Sequence, residues 1–322
     1  LTNLPMREIG LITSLTSTIF TSTPQTWRIN MHIRVIGIVM AAFVFFAAPF
    51  NASPASAQDK FVSTAIPDQD ETRLRTRFEK VAGYLSETLG IDAQYVPVKS
   101  YAAAVTAFRN DQVQLAWFGG LSGVQARGAV EGSQAIAQGA EDLEFVTYFI
   151  AHASTGLSER AEFPKSIAGK TFTFGSKGST SGRLMPEFHI RNQFGKSPDD
   201  VFTRVGFSGD HSRTIALVQS GAFEVGAVNF AVWENELREG RIDPAKVRII
   251  WRTPTYPDYQ WSIRGDVSRK FGPAFVEKVR NALLAIDDPE LLAAFPRSRF
   301  IPASNDDYEP ILRVGKDIGL ID

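Results

Sequence analysis

The chain has 322 residues, 34 Lys+Arg against 35 Asp+Glu, 44% hydrophobic residues and no cysteine. The missing cysteine excludes a disulfide scaffold, a thiolate metal site and a cysteine nucleophile, and the balanced charge argues against a dedicated nucleic-acid binder. The apolar content excludes a mainly disordered chain, and the length suits about two domains.

In chain order the first feature is a targeting pattern. Met31, His32 and Arg34 precede a charge-free apolar run, Val35–Phe50, and then Ala55-Ser56-Ala57. Basic start, apolar core and small-residue cleavage site define a secretory signal peptide, with the cut expected after Ala57. A retained membrane anchor fits less well, because a spanning helix needs about 20 apolar residues. A lipid anchor would need a cysteine at the cut. Residues 1–30 read as an upstream extension, with Met31 as the expected start. The cut removes Arg7, Arg28 and Arg34 but only one acid, Glu8, so the remainder is more acidic than the whole.

From Phe61 onward strands and helices alternate. Phe61–Ile66 reads as a strand stopped by Pro67. Asp70–Leu89 reads as a helix, with Leu74, Phe78, Val81, Ala82 and Leu85 on one face and Gly90 as the stop. Gln94–Val98 is a strand, Tyr101–Arg109 a helix and Gln114–Phe118 a strand. Gly119-Gly120 then turns into a helix from Leu121. Ser133–Gln138, Phe145–Ala151 and Thr171–Phe174 follow as strands.

A Gly/Ser loop leads into a helix over 182–193. Beyond it, Phe202–Gly206, Val225–Val228 and Val247–Arg252 alternate with helices Ser212–Gln219 and Ala231–Arg238. Helices Asp266–Ile286 and Asp307–Ile318 close the chain. This alternation predicts an α/β fold with largely parallel sheets, in two lobes with a cleft between them. Ligands in such folds bind just past the strands' carboxyl ends.

Four segments stand at that position. Phe174–Gly182 places the Ser179, Thr180 and Ser181 hydroxyls beside a helix N-terminus, which suits a tetrahedral oxyanion. A solvated Ser/Thr cap fits the same pattern, and the spacing is not that of a P-loop. Trp117-Phe118-Gly119-Gly120 ends a strand in two aromatics and two glycines, which suits either close approach to a ligand or a core turn. His211 opens a helix after a strand, where a lone histidine is usually structural. Asn229 lies just past the buried strand Val225–Val228.

Enzyme chemistry finds little footing. His152, His189 and His211 form no zinc-ligand spacing, and neither a Gly-x-Ser-x-Gly elbow nor a Rossmann glycine pattern occurs. Asp287-Asp288 and Asp306-Asp307 read as helix caps. The expectation is therefore no catalytic residue, no metal and no cofactor.

Taken in order, these features resemble the phosphate/phosphite/phosphonate-binding proteins of bacterial ABC importers over nearly all of residues 60–320. The resemblance rests on Ile66-Pro67, Tyr101 before Ala107-Phe108-Arg109, and Leu115–Gly119. It continues through Ser179-Thr180-Ser181-Gly182 with Pro186, Ser208–His211 and Val225–Asn229. Ile66-Pro67-Asp68, Val96–Tyr101 and Trp117–Leu121 look most like a selenate importer branch.

The resemblance implies a type II periplasmic binding protein, α/β in class. Lobe 1 is expected at 58–155 plus 256–322 and lobe 2 at 156–255. Hinges are expected near Ala153–Gly156 and Thr253–Pro257. Ser179, Thr180 and Ser181 would hold the anion, with Tyr101 and His211 as donors and Trp117, Phe118, Gly119 and Asn229 around it. Tyr259 and Trp261 would either line the cleft or pack in lobe 1. Phe118 stands where many relatives carry Tyr, and Asn229 where phosphonate binders carry Asp. Losing that acid points to an anion without an amino group and relaxes rejection of unprotonated anions.

The implied protein is exported and periplasmic, a monomer that binds a small oxyanion, delivers it to an ABC permease and binds no nucleic acid. A sensing subunit for a histidine kinase is the alternative. Arsenite is disfavoured for want of thiolates.

Overall fold

The computed structural model describes residues 60–321, so the expected signal segment lies outside the described residues. The chain runs β1 (Phe61–Ala65), α1 (Glu71–Leu89), β2 (Ala93–Tyr95), α2 (Tyr101–Arg109), β3 (Leu115–Phe118), α3 (Gly120–Gly128), β4 (Gln134–Gly139) and β5 (Thr147–His152). It continues β6 (Thr171–Phe174), α4 (Met185–Phe194), α5 (Pro198–Val201), β7 (Arg204–Phe207), α6 (His211–Gln219), β8 (Val225–Asn229), α7 (Phe230–Arg238) and β9 (Val247–Arg252). The last part is β10 (Gln260–Ile263), α8 (Val267–Phe271), α9 (Phe275–Leu284), α10 (Pro289–Ala294), β11 (Phe300–Pro302) and α11 (Glu309–Asp317). Among the described residues no helix is long and apolar enough to cross a membrane.

Local rules account for α1. Asp70 caps it by accepting the Thr72 and Arg73 N–H groups, and Gly90 ends it in the left-handed conformation. Its buried face is the expected set, Leu74, Phe78, Val81, Ala82 and Leu85. Asp288 likewise caps α10. One expected helix is broken: Gly272, at φ +96°, and Pro273 separate α8 from α9 within the span 266–286.

Two sheets form. The first has strand order β11-β4-β10-β3-β1-β2 and the second β7-β6-β8-β5-β9. They are mixed rather than largely parallel. β10 and β11 return antiparallel against β3 and β4, and β5 is antiparallel to both β8 and β9.

β5 also corrects the lobe assignment. The sequence reading groups it with the first lobe, but it pairs within the second sheet, where both of its faces are buried. The passage between the sheets therefore falls before β5, not at 153–156. There Phe145 pairs with Tyr256 of the return passage, each N–H reaching the other's carbonyl at 3.0 Å. The first sheet carries one large core, and the second is sandwiched between two smaller ones. Leu184 and Met185, which follow β6 of the second sheet, pack into the first core. The two sheet systems are thus held in contact.

Candidate anion-binding site

The site is built on the loop after β6. Ser179 ends the extended chain, and its hydroxyl accepts the Gly182 N–H at 2.9 Å. A π-helical turn, Thr180–Leu184, leads from there into α4. The first N–H groups of such a turn have no intrahelical acceptor and carry the positive end of the dipole. Gly182 is obligatory: a Cβ there would lie 2.9 Å from the Ser179 hydroxyl and 3.1 Å from His211 Cε1.

The turn is fixed from two directions. The Thr180 hydroxyl accepts the Leu121 N–H of α3 at 3.0 Å, a bond between the two sheet systems. The Thr147 hydroxyl donates to the Ser181 carbonyl at 2.9 Å and lies 2.6 Å from the Tyr256 hydroxyl. β5 and the return passage therefore both brace this turn.

Tyr101, His211 and Gly119 lie beside this loop. Tyr101 opens α2, packs on Gly178, and points its buried hydroxyl toward Ser179. His211 opens α6 and is fully buried; its Nδ1 accepts the Asn229 N–H at 3.3 Å, which leaves Nε2 to carry the proton. Burial pushes its pKa down to about 3, so the ring is neutral. A Cβ on Gly119 would lie 3.3 Å from the Thr180 hydroxyl and 3.0 Å from the Asp258 carboxylate, so only glycine lets α3 approach this closely.

The remaining expected residues sit behind the site. Trp117 stacks on Tyr259 and meets Trp261 and Phe295 in an aromatic cluster. Phe118 packs edge-on against Phe108 in the core. Trp261 is also core. Asn229 is committed at both ends of its amide. Its Oδ1 caps α7 through the Val232 N–H at 2.8 Å, and its Nδ2 donates to the Tyr259 hydroxyl at 3.0 Å. Tyr259 in turn donates to Asp68 at 2.9 Å. The amide is a strut tying α7 to Tyr259 and Asp68.

Sequence reasoning passed over Asp258. It is 1% exposed, and its Oδ1 accepts the Gly120 N–H at 2.8 Å. The Thr180 and Ser181 hydroxyls lie beside it. Burial raises its pKa to about 7, against the pull of the Gly120 N–H and the Thr180 hydroxyl. The available signal was the only acid in the aromatic-rich stretch Tyr256–Trp261.

Four buried polar atoms here have no hydrogen-bond partner among the described residues: Tyr101 Oη, Ser181 Oγ, His211 Nε2 and Asp258 Oδ2. Three can donate and the fourth, when ionised, accepts. Unpaired buried polar atoms are costly, and several at one place make it the candidate binding site. The arrangement provides hydroxyl, imidazole and helix-terminal donors, with one acidic acceptor, for a small oxyanion between two α/β lobes.

Such a site in two lobes defines a two-lobed ligand-binding protein of the type II periplasmic class. Residues 64–308 match the family described as ABC transporter, phosphonate, periplasmic substrate-binding protein. The chain is 38% identical over 278 residues to the probable ABC transporter phosphite binding protein PhnD1 of Prochlorococcus marinus strain MIT 9301, covering 84% of this chain and 94% of that one. The solved structure of that PhnD1 with methylphosphonate superposes with a TM-score of 0.78 at 39% identity, covering 81% of this chain and 99% of the other. A binding protein component of an ABC phosphonate transporter from Pseudomonas aeruginosa, 20% identical, shares the fold at a TM-score of 0.69, over 80% of this chain and 85% of its own.

The chain belongs to this family, and it is the substrate-binding component of an ABC importer. Members of the family bind and deliver ligands rather than transform them. The kinase-linked sensor alternative finds no support in these matches.

Proposed function

We propose that this protein captures a phosphorus oxyanion of the phosphite or methylphosphonate kind in the periplasm and delivers it to a membrane permease. Asp258 carries the reading. A carboxylate in an anion site repels a fully ionised ligand and accepts a hydrogen bond from one that retains a hydroxyl proton. Phosphite and methylphosphonate monoanions have that proton; sulfate and selenate at neutral pH do not. Asp258 therefore restores the discrimination that the Asp-to-Asn difference at position 229 had suggested was relaxed, and it disfavours selenate. PhnD1, which is named for phosphite and was solved with methylphosphonate, supports the same ligand class.

Around the ligand, Ser179, Thr180 and Ser181 would supply the loop hydroxyls and the dipole end, with Tyr101 and His211 Nε2 closing over it. Lobe 1 comprises the first sheet with its helices, and lobe 2 spans β5 to β9. The hinges lie at the Phe145–Tyr256 pairing, through which the lobes open and close. Export by a cleaved signal segment and action as a monomer complete the proposal.

The test is calorimetry at pH 7 with phosphite, methylphosphonate, phosphate, sulfate and selenate. Binding of phosphite and methylphosphonate without sulfate or selenate is expected. Equal binding of selenate would overturn the proposal.

A further inference from the structure

A second cavity lies away from the anion loop, between α3 and α11. Its volume is about 590 Å3, within the range of small-molecule sites. Leu312 and Lys316, four residues apart on α11, line one wall, with Leu320 beyond the helix end, and Val124 of α3 lines the other. Arg127, on the last turn of α3, lies at its inner end.

Arg127 is the unusual member. Three arginines are deeply buried: Arg127, Arg264 and Arg297. Arg297 pairs with Asp142 at 2.6 Å and Arg264 with Asp266 at 2.8 Å. Arg127 forms no ion pair among the described residues. Its partners are the Ser262 hydroxyl at 2.9 Å, the Tyr308 ring face at 5.0 Å and, with the Gln260 amide assigned so that its oxygen faces the guanidinium, that oxygen at 2.8 Å. Asp307, the acid with most electrostatic influence on it, already accepts from Gln138 and the Ser304 N–H. A buried cation with only neutral partners keeps a large unmet desolvation cost.

We propose that this cavity is a second binding site, for an amphipathic monocarboxylate. Its carboxylate pairs with Arg127 and its short apolar body lies between Val124 and Leu312. Lys316 adds a second cation toward the opening, while Glu309, also in the lining, opposes a second negative charge. Gln260 also lies next to Asp258: in the amide orientation that satisfies both its neighbours and Arg127, its nitrogen donates to the carbonyls of Phe118 at 3.1 Å and Asp258 at 2.6 Å.

The test is calorimetric titration of the full-length protein with sodium octanoate, with and without saturating methylphosphonate. Saturable one-site binding that methylphosphonate does not displace is expected. It should weaken at least tenfold in Arg127→Gln and in Val124→Trp, which fills the cavity from its half-buried rim and keeps the test valid if Arg127→Gln fails to fold. Equal binding of 1-octanol would overturn the proposal, because charge recognition would then be absent. So would no saturable heat, displacement by methylphosphonate, or wild-type affinity in both variants.

Discussion

Replacing Asp258 by Asn removes the one acidic acceptor at the anion loop while keeping side-chain shape and an oxygen for the Gly120 N–H. Two quantities should change. The first is ligand preference. A hydrogen bond to a charged group is worth about 1.5–3 kcal/mol, so phosphite or methylphosphonate affinity should fall by roughly 10- to 150-fold. Sulfate, which the carboxylate repels, should gain measurable affinity.

The second is the pH dependence of stability. Burial raises the Asp258 pKa from 3.8 to about 7. A raised carboxyl pKa favours the folded state fully below pH 3.8, and this advantage is lost as pH rises through about 7. At about 1.4 kcal/mol per unit the loss is on the order of 4 kcal/mol, complete just above pH 7. The Asn variant lacks this slope. Without ligand, its stability advantage over wild type should therefore widen between pH 5 and pH 8 in urea unfolding. Calorimetry at pH 7.5 and unfolding at both pH values measure the two effects. Unchanged phosphite affinity with continued rejection of sulfate would refute the acceptor role.

Thr180→Ala should lower anion affinity at least tenfold by removing a hydroxyl at the loop and its bond to Leu121, with the circular dichroism of the free protein unchanged. His211 is held neutral by burial, with a pKa near 3; affinity measured from pH 5 to 8 should show no histidine step near 6.5, and His211→Gln should weaken binding without altering that profile. Arg73 of α1 reaches Glu236 of α7 at 3.2 Å across the two sheet systems, away from the anion loop. Arg73→Ala should weaken all ligands equally, by about fivefold or about 1 kcal/mol, and small-angle scattering should show a more open molecule. Leu85→Ala in the α1 core should cost about 2–5 kcal/mol in urea unfolding and leave affinity unchanged.

The sequence by itself determined what short-range physics controls. Apolar spacing and the Asp70 cap define α1, and Gly/Ser chemistry after a strand defines the capped turn at Ser179–Gly182, the candidate anion loop. These depend on hydrogen bonds and periodicities spanning a few residues, which any reader of the chain can see. The positions of Tyr101, His211 and Gly119 beside that loop were legible for the same reason: each begins or precedes a helix just after a strand or loop.

Other features only the tertiary structure decided. β5 belongs to the second sheet because β8 and β9 pair with it, and an apolar strand reads the same in either sheet. Asn229 looks like a ligand contact until Tyr259, 30 residues later, takes its amide. Asp258 carries no local signal of its surroundings; Gly120, 138 positions earlier, brings α3 against it. Its raised pKa and its proposed acceptor role arise from burial among groups distant in sequence, and that burial exists only once the two sheet systems meet.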